Sequence, residues 1–456
     1  MKKYFSSYWI RSAFYTFLQR FSLTFFGVIN FMILARSLPD AEALGTWAIF
    51  LTITGIFEAA KVNLLKNAQI KYVSMSDDRH EKTIIASSSL LINIVFTLAF
   101  IVFLLFGASR LASWFNTGEE MTSMLHWFIP GLACMIFFSH LESVQQSHLD
   151  FKGGFAGHFV RQASFFILIL SHKLSDTPLT LTDLAKYSSL TIGLGTLVLL
   201  VFTRKYLSFR FRPSRTWTKK IMGYGGYIFG SGVVASIFTN LDQIITAWVI
   251  NPGAVAYYNV ASRINLLVDT PSYAASEIIF PKASRALVEE GKEKVKYLFE
   301  RMVAILIAIT IPIATVIILF PKLITVTYAG STYAAAAPIL QLYMIAGIIR
   351  PAQNQAANLL NSIGKTRLVF LMNTGFMVVL LGMNFLFLKQ FGLYGAAIGT
   401  MITSMLNFAA WYFLMRREIN LDLSAVGKHM AKTYKSIFRK LSLLVSKTRR
   451  QTSYLP

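Results

Sequence analysis

Six basic residues of this 456-residue chain fall inside long apolar runs: Arg20, Lys61, Arg161, Arg263, Arg301 and Arg350. A charge held in hydrocarbon costs between about 3 and 10 kcal/mol, so such a residue faces a wet cavity, pairs with a partner or reaches the interface. Arg161 lies near the end of its run and Arg301 in the first turn of another, where long side chains extend to the headgroups. Arg20, Lys61, Arg263 and Arg350 remain. A guanidinium fork grips phosphate with two hydrogen bonds, and an ammonium serves as a point charge for the same group.

Polar neighbours accompany these cations. Gln19 precedes Arg20, and Glu58 lies one helical turn before Lys61, close enough to pair with it. Asn259, Arg263, Thr270, Tyr273 and Glu277 share one helical face, with Asp269 beside it and Pro271 available to kink the helix. Arg350, Asn354, Asn358 and Asn361 form a second stripe, while Asn240, Asp242, Gln243 and Thr246 cluster in a third run. Cations suit phosphate, amides suit sugar hydroxyls, and Tyr257 and Tyr273 suit sugar faces. The set points to an anionic, sugar-bearing ligand held by Arg20, Lys61, Arg263 and Arg350. Gln19, Asn240, Gln243, Asn259, Tyr273, Asn354 and Asn358 line its cavity, and Glu58, Asp242, Asp269 and Glu277 are candidates for ion coupling.

No catalytic constellation accompanies them. Cys134 is the only cysteine and the seven histidines lack ligand spacing, so neither a metal site nor a cofactor is expected. The sequence gives no sign of nucleic-acid binding or disorder, because 55% of its residues are apolar and only 14% charged, against about 25% charged in soluble domains.

Positioning such residues requires membrane helices. Twelve apolar runs of suitable length span 13–35, 44–65, 84–106, 123–146, 154–171, 184–203, 221–250, 254–280, 298–320, 334–361, 367–389 and 394–415. They are continuous rather than alternating, which excludes a transmembrane β-barrel. The first run holds Arg20 and is followed by no small-residue cleavage site, so it reads as a retained helix and not a signal peptide.

The formal charge of +23 then acquires a topological meaning. Of the 44 basic residues, 32 fall at the two ends or in even-numbered loops and six in odd-numbered loops. Basic loops stay in the cytoplasm, so both termini are expected there, in a multi-pass membrane protein. The expected organisation is a basic N-terminus (1–12), a six-helix bundle (13–203), a basic linker (204–220), a second six-helix bundle (221–415) and a basic tail (416–456). A weak echo between ILARSLPDAEALGTWAIFLTITGI and ITAWVINPGAVAYYNVASRINLL, at equivalent ends of the two bundles, fits a duplicated transporter. In the tail, apolar residues from Leu423 to Leu444 recur at helical spacing among lysines and arginines, as in a helix lying on anionic lipid.

The stretches LDQIITAWVINPGAVAYYNVASRINLLVDTPSYAASEIIFPKASRALVEEGKEK, YAGSTYAAAAPILQLYMIAGIIRPAQNQAANLLNSIGKTR and FGLYGAAIGTMITSML resemble the Wzx-like polysaccharide (O-antigen) flippases of the multidrug/oligosaccharidyl-lipid/polysaccharide (MOP) exporter superfamily. The resemblance implies an all-α membrane protein of two pseudo-symmetric six-helix bundles around a central cavity, working by alternating access. Its implied cargo is an undecaprenyl-pyrophosphate-linked oligosaccharide for O-antigen, capsule or exopolysaccharide assembly. Polysaccharide polymerase and chain-length proteins are the implied partners. Arg20, Lys61 and Arg263 match the cationic cavity of that family by position, whereas Asp242 stands where a base is common. A cation-coupled multidrug exporter of the same superfamily and a membrane-embedded polysaccharide polymerase or ligase are the alternatives. The short odd-numbered loops, with no nucleophile and base, weigh against an enzyme.

Overall fold

The computed structural model describes residues 2–175, 177–207, 210–362 and 364–452, and among them it is all helix. From the N-terminus, α1 spans Lys2–Ser37, α2 Ala41–Lys61, α3 Asn67–Met75, α4 Arg79–Trp114, α5 Gly118–Trp127, α6 Ile129–Ser147, α7 Lys152–Leu174 and α8 Leu181–Thr203. There follow α9 (Arg215–Thr239), α10 (Leu241–Val249), α11 (Pro252–Glu289), α12 (Lys292–Leu319) and α13 (Pro321–Ala329). The chain ends with α14 (Ala337–Ser362), α15 (Thr366–Phe391), α16 (Gly395–Ile419) and α17 (Leu423–Thr452).

Helix starts obey local chemistry. Asp40 caps α2 by accepting from the Ala43 amide at 2.8 Å, and Asp78 caps α4 through the His80 and Glu81 amides at 2.9 and 3.2 Å. The expected second run extends beyond position 65: α2 passes through a π-helical turn, Val62–Lys66, into α3, making one apolar segment from Ala41 to Met75. Lys66 and Lys71 thus belong to a helix and not to a loop. The expected fourth run is bent by 43° between α5 and α6, where Pro130 stands in the first turn of α6.

Among the described residues, eight helical segments are long and apolar enough to cross a membrane, or nine with the bent pair. One of them, Arg367–Ile419, holds both α15 and α16, joined by a single 3₁₀ turn at Gly392–Tyr394. The expected seventh run breaks at Asn240 between α9 and α10, and the expected eighth is the polar α11, which continues as helix through Pro271.

The chain divides into two compact units, Met1–Ala256 with Tyr328–Thr332, and Tyr257–Thr327 with Tyr333–Pro456. In the first, α7 and α8 approach closely at two glycines. A Cβ on Gly195 would stand 2.8 Å from the Gly157 carbonyl oxygen, so only a bare backbone fits. This is how membrane helices gain contact when lipid supplies no hydrophobic drive to associate. Leu64, Ala68, Ile85, Ile92 and Ile221 form a core in the same unit, with Tyr72 edge-on to Trp217. In the second unit, Val295, Phe299, Ala356, Leu360, Trp411 and Met415 form a core that the start of α17 joins through Val426. The tail therefore begins as a packed helix. Leu441 and Leu444 lie outside the residues whose side chains are described.

Candidate functional site

The first unit holds a buried carboxylate that sequence reading did not single out. Glu142, on α6, is 6% exposed. Its Oε2 lies 3.0 Å from the Lys66 ammonium. Its Oε1 accepts from Gln19 at 3.3 Å and Gln146 at 3.2 Å, and stands 3.3 Å from His158 Nε2. Residues from α1, α6, α7 and the π turn thus converge on one carboxylate. The π turn matters here because the extra residue it inserts resets the helical register at Lys66.

Lys61 sits in the same unit, 1% exposed, with its ammonium donating to the Met135 carbonyl at 3.3 Å and lying 5.9 Å from the Phe57 ring centre. Glu58 is half-buried, and the hydrogen bond of Lys61 goes to α6 rather than to this neighbour. Arg161 stacks over Phe138 at 5.9 Å. Arg20 is exposed, whereas its neighbour Gln19 turns to Glu142. Asn240 closes the end of α9 through the Ser236 carbonyl at 2.9 Å. Gln243 is buried on α10, and Asp242 beside it is half-buried.

The second unit assembles its polar groups around α11 and α14. Asp269 is 3% exposed and accepts from Arg350 at 2.6 Å and from Asn265 at 3.2 Å on the same oxygen. One turn on, Gln355 donates to the Ser272 carbonyl at 3.0 Å. Arg263 donates through Nε to the Asn259 side chain at 2.8 Å, four residues earlier on α11. Asn354 and Asn358 are half-buried on α14. The side chains of Tyr273 and Glu277 lie outside the described residues.

The expected candidates thus fall into distinct local clusters: Gln19 at Glu142, Lys61 on Met135, Asn259 with Arg263, and Asp269 with Arg350. Sequence reading missed Lys66, Glu142, Gln146, His158, Asn265, Ser272 and Gln355. The spacing of Glu142 with Gln146 and of Asn265 with Asp269 was the available signal, since residues four apart share a helical face. Among the described residues, no group of three or more His, Cys, Asp or Glu side chains has the geometry to hold a metal.

The sequence matches the family described as "Polysaccharide biosynthesis protein" over residues 33–338. It is 25% identical to the teichuronic acid biosynthesis protein TuaB of Bacillus subtilis, over 47% of this chain and 44% of that protein. The chain spans less than half the length of such curated relatives in these matches. The fold extends further. It superposes on the lipid II flippase MurJ in an inward closed conformation with a TM-score of 0.74 and 14% identity, covering 94% of this chain and 92% of that one. An inward-facing multidrug resistance MATE transporter of the MOP superfamily matches with a TM-score of 0.74 and 16% identity, over 89% of this chain and 96% of that one. With two thirds of its length inside the family match, this all-α membrane protein belongs to the polysaccharide biosynthesis protein family and is built on the fold of MurJ and the MATE transporters.

Proposed function

We propose that the chain is a flippase that moves undecaprenyl-pyrophosphate-linked oligosaccharide across the bacterial inner membrane, cytoplasmic to outer leaflet, by alternating access. The observation that carries this reading is the combination of a polysaccharide-biosynthesis family with a transporter fold over nearly the whole chain. A protein that serves polysaccharide assembly from a transporter fold has an obvious task, the movement of the lipid-linked intermediate. Both termini face the cytoplasm in this reading, on the charge asymmetry of the loops, and two helical bundles are the moving parts. Polysaccharide polymerase and chain-length proteins are its expected partners downstream.

Arg20, Lys61, Arg263 and Arg350 supply the cationic character that a pyrophosphate needs, and the amides of Gln19, Gln243, Asn259, Asn354 and Asn358 supply sugar-compatible hydrogen bonding. Two negative charges leaving an inside-negative cell gain roughly 4 to 5 kcal/mol per 100 mV, so the membrane potential favours export. Buried carboxylates favour a second reading in which an ion gradient drives the cycle. Asp269 is 3% exposed and Glu142 6%, and both sit beside cations whose grip on them an entering ion would alter.

The test is charge reversal, Arg263→Glu and Arg20→Glu, in a strain scored for surface polysaccharide. Loss of polymer at normal protein abundance supports the reading. Normal polymer in both variants removes the cationic role.

A further inference from the structure

The first unit holds a cavity of its own. With a volume of about 850 Å³, it opens between α4, α6 and α8 at the end of the bundle where α4 begins and α6 and α8 finish. That volume is near the top of the roughly 300–1,000 Å³ typical of small-molecule sites. Its lining runs along α4 from Arg79 to Leu90, along α6 from Phe137 to His148 just past its end, and along α8 from Thr196 to Leu200, with Lys205, Tyr206 and Leu207 following that helix. The α4 and α6 stretches each cover twelve positions, about 16 Å along a helix.

The two ends of these stretches differ in chemistry. At the rim stand Arg79, Lys82, Lys205 and Arg210, with Asp77 as the one carboxylate among the lining residues. Lys205 also pairs with Asp150 at 2.9 Å. The inner wall is apolar, and it is open: Phe137 is 52% exposed and Leu197 61%. His140 stands among the polar residues that interrupt that wall. It lines the cavity at 8% exposure, and its Nδ1 has no hydrogen-bond partner in the protein.

The residues that follow the rim are tied down. The Ser214 amide donates to Ser88 Oγ at 2.9 Å, Ser87 Oγ reaches the Arg210 carbonyl at 3.5 Å, and Arg212 lies 3.2 Å from His80. These contacts hold the Arg210 backbone beside Ser87, in the third turn of α4.

We propose that this cavity binds an anionic glycerophospholipid of the surrounding bilayer. Its phosphate meets Arg79, Lys82 and Arg210, and an acyl chain follows the wall of Leu90, Phe137 and Leu197. Charge complementarity at the rim and hydrocarbon complementarity within argue for one molecule that has both parts. Every lining residue belongs to one unit, so occupancy requires no change in how the two units are arranged, and the site is separate from the one proposed for cargo.

The experiment is native mass spectrometry of the full chain in detergent, titrated with phosphatidylglycerol, with phosphatidylcholine of the same chains, or with glycerol phosphate alone. The wild type is expected to retain phosphatidylglycerol at least tenfold more tightly than phosphatidylcholine, and glycerol phosphate should not displace it. The variant R79Q/K82Q/R210Q should lose that preference, and L197W, which fills the wall without touching the rim, should lose phosphatidylglycerol altogether. Thermal unfolding checks that both variants are folded. Equal retention of the two lipids by the wild type overturns the proposal. Displacement by glycerol phosphate, or undiminished phosphatidylglycerol in folded L197W, does so as well.

Discussion

Arg350 and Asp269 form a 2.6 Å ion pair across 81 positions of sequence, joining α14 to α11 in the second unit. The Asp269 side chain is 3% exposed and that of Arg350 21%. Removing one member of a buried pair is costly because the other charge stays behind, whereas replacing both is often neutral. With Arg350 one-fifth exposed, Asp269→Ala is expected to cost about 2 kcal/mol rather than the 3–5 of a fully buried pair. A double-mutant cycle with Arg350→Met, read by thermal unfolding in detergent, should recover most of that loss. Additive losses would show that the two side chains do not act as a pair.

The Glu142 cluster should behave differently, since four side chains converge on one carboxylate. Glu142→Ala strands the Lys66 ammonium and three further donors at once, so it should cost more than Lys66→Met, which leaves Glu142 its other partners. The ranking is checked by melting temperatures of the two variants. A Lys66 variant less stable than the Glu142 variant would contradict it.

Lys61 separates stability from function. Its ammonium is almost fully buried and its hydrogen bond is to one carbonyl, a poor return for desolvating a charge. Lys61→Met is expected to keep or raise the melting temperature while reducing cargo movement at least tenfold. If the variant melts lower and transports normally, Lys61 is structural.

Outside the spans, Asp150 supplies a pH signature. Burial opposes its ionisation, but hydrogen bonds from Lys205, the Lys152 amide and Tyr206 outweigh that and hold its pKa below the ordinary 3.8. Because the folded value is the lower one, the stabilisation is complete above 3.8 and is lost as pH falls through the folded value. Asp150→Asn should therefore be less stable than wild type at pH 6, with the gap closing below pH 3.8. A gap that stayed constant down to pH 2 would rule out this linkage.

The sequence made the helices legible because hydrocarbon requires long apolar runs, and this requirement is met locally by segments such as 84–106 and 298–320. Residue pairing was less legible. Lys66 looked like a loop residue because apolar character fades after Leu65, and nothing in composition announces the π turn that carries the helix on to Met75. Glu142 looked like a lone acid at a helix end, since its partners Gln19, Lys66 and His158 come from other parts of the chain. Arg350 and Asp269 were each visible as intramembrane charges, but no periodicity relates α11 to α14, so each appeared free to meet a ligand. A stripe on one helix is a local property. A bond between two helices depends on packing, which sequence spacing does not encode.

Translocation itself is the decisive measurement. Purified protein in liposomes carrying a fluorescent undecaprenyl-pyrophosphate oligosaccharide is followed by loss of the sugar's accessibility to an external lectin, with and without a membrane potential. Movement that depends on the protein, accelerates when the cargo leaves the negative side and disappears with Arg263→Glu is the predicted result. No movement by folded protein under either condition, or transfer of the sugar to an acceptor in place of its movement, would contradict the flippase reading.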